Sequence, residues 1–463
     1  MKNALFGVAA AAALVIASTV ARADELWQIH EWGTFTSLQD ESGRALGGIN
    51  TDDEPVPRFV HGVPLAIQPH DDIPQIGGKG IQYCHPDVTM RLETPVIYFH
   101  PPEDSAGEPR TDVSVKFRGG WLTEFYPNAI SDAPAQTSGV FQFVPLSSDT
   151  LGHLEWNDLQ IGGGWPLVQT SAHVWTSPRD VRAAQVRAAG GESEKFLFYR
   201  GVGHVDAPLK VSRGDSGGEL LFRSQLEGLP LAGPLAIKSL WLVDIRTDGK
   251  IAFRTLPSVT LGSDSNKVLS RTRAGFAPED FSAGNFDKLK SSLKSALMSE
   301  GLYDDEAQAL LNTWQASYFK SPGLRVFFIV PRAWTDYYLP LQISLPARIQ
   351  RVMVGRIELV TPEQREILEK LSGLPADTIE RQVEQFAGEF QSNKNLESVY
   401  NGREALSAVL SVPESYQMYL SLGRFKNALI LDEEKRRPTV GLADFIEVYH
   451  LQADQLRSGR TGS

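Results

Sequence analysis

Imidazoles and carboxylates crowd one short part of this chain. Five of its nine histidines, His30, His61, His70, His85 and His100, fall between positions 30 and 100, interleaved with Asp52-Asp53-Glu54, Asp71-Asp72, Asp87 and Glu93. These are the donors that zinc or another divalent cation takes, and a water bound to such an ion becomes a nucleophile near neutral pH. The spacing matches no helical zinc motif such as H-E-x-x-H, so any site must be assembled from separate segments. The metal reading takes His30, His61, His85 and His100 as ligands, with Glu31 or Glu93 as the base for a bound water. The competing reading leaves the imidazoles as solvated loop residues.

The segment "WQIHEWGTFTSL", Trp27 to Leu38, narrows this choice. Its aromatic and β-branched residues predict an extended strand, in which side chains alternate between faces. Trp27, Ile29, Glu31, Gly33 and Phe35 then share one face, and Gln28, His30, Trp32, Thr34 and Thr36 the other. His30 and Glu31 point in opposite directions and cannot bind one ion without a bulge. Glu31 falls on the more apolar face, where an unpaired carboxylate costs several kcal/mol. It needs a partner. In "VTMRLETPVIYFH", Val88 to His100, Arg91 and Glu93 lie on one side of an alternating run, so Glu31 with Arg91, or Arg91 with Glu93, is the structural alternative to a catalytic carboxylate.

Other motifs carry less. Cys84-His85-Pro86 with Met90 has the residue types of a blue-copper loop, but His follows Cys directly and a buried thiol is the better reading. "GDSGG", Gly214 to Gly218, echoes the nucleophile segment of trypsin-like proteases and "TSAHVW" their histidine segment. His173 and Ser216 are nevertheless too close in sequence for two packed barrels, and Gly-Asp-Ser is an ordinary turn composition. The glycines at 77–80 and 162–164 do not join a strand to a helix as a phosphate loop must.

Lys2, an Ala-rich apolar stretch and Ala21-Arg22-Ala23 predict a signal peptide over residues 1–23, favoured over a membrane anchor by the small-x-small end. The expectation is an exported, periplasmic or extracellular protein that begins at Asp24, with no transmembrane segment in the mature chain. Loss of Lys2 and Arg22 makes the formal charge of −11 two units more negative. Such a surface repels nucleic acid and anionic lipid. Cys84 is the single cysteine, so stability has to come from burial rather than disulfides.

The elements that must position these residues change character along the chain. From Leu26 to about Leu261, short β-type runs are punctuated by Gly, Pro, Asn and Asp; Asp248-Gly249 between two alternating runs is a hairpin signal. Phe286, Leu289, Leu293 and Leu297, then Ala307, Leu310, Leu311 and Trp314 beyond Gly301, recur at helical spacing and predict a helical hairpin over about 286–319. Strands return at Leu324 to Pro331 and Ile349 to Val360. Thr361-Pro362-Glu363-Gln364 reads as a capping box that starts a helical region. The expected architecture is α+β: mainly antiparallel, sandwich-like β over 24–361 with the hairpin inserted, helices over 362–457, and a disordered tail at 458–463.

Together, "HEWGTFTSLQDESG", "PRFVH", "MRLETPVIYFH", "GGWLTEFYP", "KFLFYRGVG", "RVFFIVPRAWTDYYLPLQI" and "RVMVGRIELVTPE" resemble an uncharacterised family of exported bacterial proteins, over about Ile29 to Glu363. The resemblance implies one integrated exported protein and carries no activity. Two functions follow as expectations. The first is a metal-assisted hydrolase of extracytoplasmic substrates with its site in residues 30–100. The second is a non-catalytic envelope protein that binds a carbohydrate or another protein.

Overall fold

The computed structural model describes residues 26–51, 55–62, 77–78, 81–82, 85–103, 107–133, 145–375, 377–393, 412–449 and 451. The expected signal peptide, Asp52-Asp53-Glu54, His70, Asp71-Asp72, Cys84 and the tail lie outside the described residues.

Seven strands and two helices position the residues of interest. They are β1 (Trp27–Gln39), β2 (Met90–Leu92), β3 (Val96–His100), β4 (Leu197–Gly203), β5 (Leu240–Ile245), α1 (Asn285–Ser299), α2 (Asp304–Thr313), β6 (Gly323–Ile329) and β7 (Ala347–Leu359). The strands belong to a 16-stranded sheet that runs β4, β2, β1, β7, β6, β5 through its centre, with β3 also between β1 and β4. β1 pairs antiparallel with β2 and β3 on one side. On the other side it pairs parallel with β7 over its whole length, Trp27 opposite Ala347 through Gln39 opposite Leu359.

The sheet is mainly antiparallel, as expected, and this parallel pair at its centre explains the burial of β1. A strand paired on both edges and covered on both faces is buried throughout; from Ile29 to Gln39 every residue of β1 is. The alternation is real but separates two interiors instead of core from solvent. Ile29 and Phe35 enter one core with Leu92, Leu242 and Met353. Trp32 enters the other with Val96, Phe327 and Val352. Val115 of the strand Arg110–Arg118 and Leu154 of the strand Leu151–Gly162 join the first core, so the sheet curls over one face in a sandwich-like manner.

The second core is roofed by the helical hairpin. Leu289, Leu293 and Leu297 of α1 and Ala307, Leu310 and Leu311 of α2 are buried against the sheet. Full burial of each leucine stabilises by roughly 1.5–3 kcal/mol relative to exposure, which fastens the hairpin over the His30 face of β1. The break at Gly301 is a left-handed turn, φ +106°, between α1 and α2. The turn at Asp248-Gly249 forms as expected, with Gly249 at φ +79° and its N–H on the Arg246 carbonyl at 2.9 Å.

The C-terminal region is helical. Thr361 and Gln364 make the reciprocal capping bonds at the head of the helix Pro362–Ser372, 3.0 Å and 3.3 Å. Leu368, Leu371, Ile379, Tyr419, Leu429 and Phe445 close a third core against Leu38 and Val360, at the far ends of β1 and β7. No helix among the described residues is long and apolar enough to cross a membrane.

Candidate metal centre

The geometry of the central sheet decides which imidazoles meet. In the β1 and β3 pairing, His30 stands opposite Tyr98 and Gln28 opposite His100. His30 and His100 are therefore diagonal neighbours on one face, within reach of each other's side chains. Their ring centroids are 5.0 Å apart. From above, α2 lowers Glu306 between them: Oε2 lies 2.8 Å from His30 Nδ1, and Oε1 lies 2.9 Å from His100 Nε2. Among the described residues this is the one group of three His, Cys, Asp or Glu side chains whose donor atoms fall together, all within 4.8 Å of one another.

Glu306 and His100 are held from behind. Glu306 is the third residue of α2, and its Oε2 accepts the Tyr303 backbone N–H at 2.7 Å, so the bond that caps the helix also aims the carboxylate. His100 Nδ1 lies 3.1 Å from the Arg182 carbonyl. A carbonyl only accepts, so Nδ1 carries a hydrogen; Nε2, which faces the Glu306 carboxylate, is the nitrogen an ion would take in place of that contact. Metal-bound histidines commonly donate their second N–H in this way. The Arg182 loop is in turn tied to the start of α2 by its N–H on Asp305 Oδ2 at 3.1 Å.

Glu306 is fully buried, His30 is 4% exposed and His100 7%. Burial pushes the Glu306 carboxyl up, but the bonds to His100 and His30, the charge of His30 and the Tyr303 N–H outweigh it and bring it down to about 2. The carboxylate is thus ionised in its apolar surroundings and ready to serve as a ligand. In the same neighbourhood the Tyr98 hydroxyl donates to the Pro178 carbonyl at 3.0 Å, and burial together with the charge of Glu306 pushes its phenol well above the usual range. Two nitrogens and an oxygen bound to one zinc at about 2.0–2.2 Å stand about 3.3 Å apart. The two nitrogen-to-oxygen contacts, 2.8 and 2.9 Å, would open by about half an ångström to admit one.

The other expected site residues are elsewhere. His61 pairs through Nε2 with the Glu192 carboxylate, 2.8 Å, half-exposed beside Phe125 and Tyr126. His85 is buried edge-on to Trp121, and its Nδ1 accepts the Asp87 N–H at 3.2 Å. None of these partners belongs to the His30, His100 and Glu306 group. His61 and His85 therefore leave the ligand set, because the sheet carries them to other neighbours.

Glu31 and Glu93 are not placed as bases either. Glu31 points to the opposite face from His30, where Arg351 Nε donates to Oε2 and the Tyr199 hydroxyl to Oε1, both at 2.5 Å. Burial alone raises the Tyr199 phenol, and the Glu31 charge raises it further. Burial lowers the Arg351 guanidinium, but Glu31 overrides that and holds it above its ordinary value. Arg91 is not the partner of Glu31: it stands opposite Thr36 and shares that residue's face, the reverse of the one Glu31 occupies. It pairs instead with Glu93 at 3.2 Å, and Arg424 reaches the other Glu93 oxygen at 3.4 Å. Ser216 sits in a turn between the strands Leu209–Arg213 and Glu219–Ser224, while His173 Nε2 contacts the Asn312 carbonyl at 2.7 Å, so the two make no nucleophile and base pair.

Glu306 is the member of this group that residue types and spacing did not point to. A signal was present: an acid inside the apolar face of α2, in line with Leu310 and Thr313, three residues past the residue that precedes the helix.

No protein-family model matches the chain, and no curated protein matches its sequence. Solved structures similar to it include the Fcho1 mu homology domain of Danio rerio with bound Eps15 peptide, at 10% identity over 73% of this chain and 97% of that one, TM-score 0.27. Another is the yeast delta-COP-I mu-homology domain complexed with Dsl1 WxWxV peptide, at 10% identity over 72% and 96%, TM-score 0.23. Likeness at that level carries no argument about this chain.

Proposed function

We propose that this is an exported metal-binding protein whose His30, His100 and Glu306 hold one divalent cation of the zinc type. The observation that carries the proposal is the convergence of two imidazole nitrogens on a buried, ionised carboxylate, with the second nitrogen of His100 already engaged on a carbonyl. The ion would join β1, β3 and α2, and so clasp the helical hairpin to the sheet. Zinc suits the donor set, since imidazole nitrogens and a carboxylate oxygen are its usual ligands outside thiolate sites. Export rests on the signal-like first 23 residues.

A second reading, metal-assisted hydrolysis, is supported by the donor count. Three protein ligands leave a fourth position open, as catalytic zinc centres do. Against it, the clefts of about 650 Å³ beside Glu366 and Met418 and about 530 Å³ beside Ser216 and Phe276 involve none of the three ligands. Glu31 and Glu93, the carboxylates first expected as bases, are committed to ion pairs.

Metal analysis of the purified full chain tests the proposal. One zinc or cobalt ion per chain is expected, lost in His30→Ala, His100→Ala and Glu306→Gln and retained in His61→Ala and His85→Ala. Absence of stoichiometric metal after loading, with stability unchanged by a chelator, ends the reading. Turnover of ester or phosphoester probes by the zinc-loaded protein, abolished in Glu306→Gln, would establish the hydrolytic version.

A further inference from the structure

The three ligands lie one side chain below the surface, and that side chain is Tyr303. Its ring centroid is 4.4 Å from His30 and 4.9 Å from His100, tilted against the first and at a steep angle to the second, so one ring lies against both imidazoles. The residue is nevertheless 44% exposed, while the two histidines beneath it are 4% and 7% exposed. The remaining sides of the site are closed by β1 and β3, the first turn of α2 and the Arg182 carbonyl. Of the two tyrosine rings packed on these imidazoles, that of Tyr98 is buried and that of Tyr303 reaches solvent.

The ring is the exposed part of a segment whose backbone is anchored. Tyr303 ends the Glu300–Tyr303 turn between α1 and α2. Gly301 there holds a left-handed φ of +106°, and the Gln350 side chain from β7 donates to the Glu300 carbonyl. Leu302 is buried in the second core, its N–H bonds to the Leu297 carbonyl at 3.2 Å and the Tyr303 carbonyl accepts the Ala307 N–H at 3.0 Å, so the backbone is anchored and the ring is what can turn away. The Tyr303 backbone N–H aims Glu306, so backbone and ring serve the same site in different ways.

From this arrangement, and resting on the metal reading above, we infer that Tyr303 is the gate of the centre. The ion, and any small ligand of its fourth position, exchanges with solvent when the Tyr303 ring swings off His30 and His100 about its own side-chain bonds, the backbone staying in place. Tyr303 is thereby a positioning residue through its N–H and a cover through its ring, and not a ligand.

Cobalt(II) tests this on the full chain, since its visible absorption reports both occupancy and coordination. Wild type, Tyr303→Ala and Tyr303→Phe are loaded, mixed with excess EDTA, and the loss of the cobalt bands is timed. Tyr303→Ala is expected to bind one ion per chain, to melt without metal as wild type does, and to release the ion about tenfold faster, the equivalent of about 1.4 kcal/mol in the barrier. Tyr303→Phe, which keeps the ring, is expected to release at the wild-type rate. Equal rates for Tyr303→Ala and wild type overturn the gate and leave the metal centre standing. Release from Tyr303→Phe as fast as from Tyr303→Ala overturns it too, because the hydroxyl and not the ring would then be the barrier. Loss of binding in both Tyr303→Ala and Tyr303→Phe would make the hydroxyl a ligand, and loss in Tyr303→Ala alone would make the ring part of the binding site; either overturns the gate. Failure of the wild type itself to take cobalt removes the metal reading and the gate with it, an outcome distinguished by stoichiometry before any rate is measured.

Discussion

Replacing Glu31 by Gln keeps the shape of the side chain and removes its charge, which isolates the question of what that residue is for. Glu31 and Arg351 are 1% and 2% exposed at their side chains. Removing one partner of a buried ion pair typically costs about 3–5 kcal/mol, because the other charge stays in a medium that solvates it poorly. In Glu31→Gln, Arg351 keeps Asp336, 2.9 Å away and partly exposed, and the Leu339 carbonyl at 2.7 Å. Those contacts offset part of the loss, so the lower end, about 3 kcal/mol, is expected. Arg351→Met leaves the Glu31 carboxylate with only the Tyr199 hydroxyl among these partners, and the upper end applies.

The double variant Glu31→Gln with Arg351→Met buries no net charge and should lose less than the sum of the single losses by about 2 kcal/mol. Urea denaturation followed by tryptophan fluorescence measures all three, provided the slope with denaturant is unchanged. A cost below about 0.5 kcal/mol for Glu31→Gln, within the range of an ordinary surface substitution, would refute the structural assignment. If such a variant also lost a metal-dependent reaction, Glu31 would be a base after all.

Two further outcomes can be checked on the same material. Burial raises the Glu358 carboxyl, but Arg325, Arg356 and Arg424 outweigh it and hold it below its ordinary 4.5. A depressed folded-state value contributes stability above the unfolded value and loses it as pH falls through the folded one. The urea midpoint should therefore hold from neutral pH to about 5 and fall below about 4.5, with a shallower fall in Glu358→Gln; an identical acid limb in that variant would contradict the assignment. Thr361→Ala removes the side-chain cap of the helix Pro362–Ser372 and should cost about 1 kcal/mol in the same denaturation assay. A neutral result would mean that packing alone sets that helix start.

Local regularities were legible in the sequence. The period of two along Trp27–Gln39 separated His30 from Glu31, because alternation depends only on backbone geometry. The capping box at Thr361 and the hairpin leucines were equally readable, since each involves residues within a turn or two of one another. Burial of Glu31 beside apolar neighbours demanded a counter-charge, and that demand follows from solvation alone.

Which residue answers the demand was a tertiary decision. Arg351 stands beside Glu31 because β1 and β7 run parallel in one register, 320 positions apart, and nothing local encodes that pairing. Arg91, nearer in sequence, fell on the other face because its own register placed it opposite Thr36. The same holds for the centre. His30 and His100 were candidates by residue type, but Glu306 comes from 276 positions beyond His30, delivered when the hairpin leucines seat α2 on the sheet. The sequence by itself determined the kinds of donor available and the faces on which they stand. The long-range register of the sheet and the docking of one helix decided which of them meet, because those depend on burying whole surfaces at once.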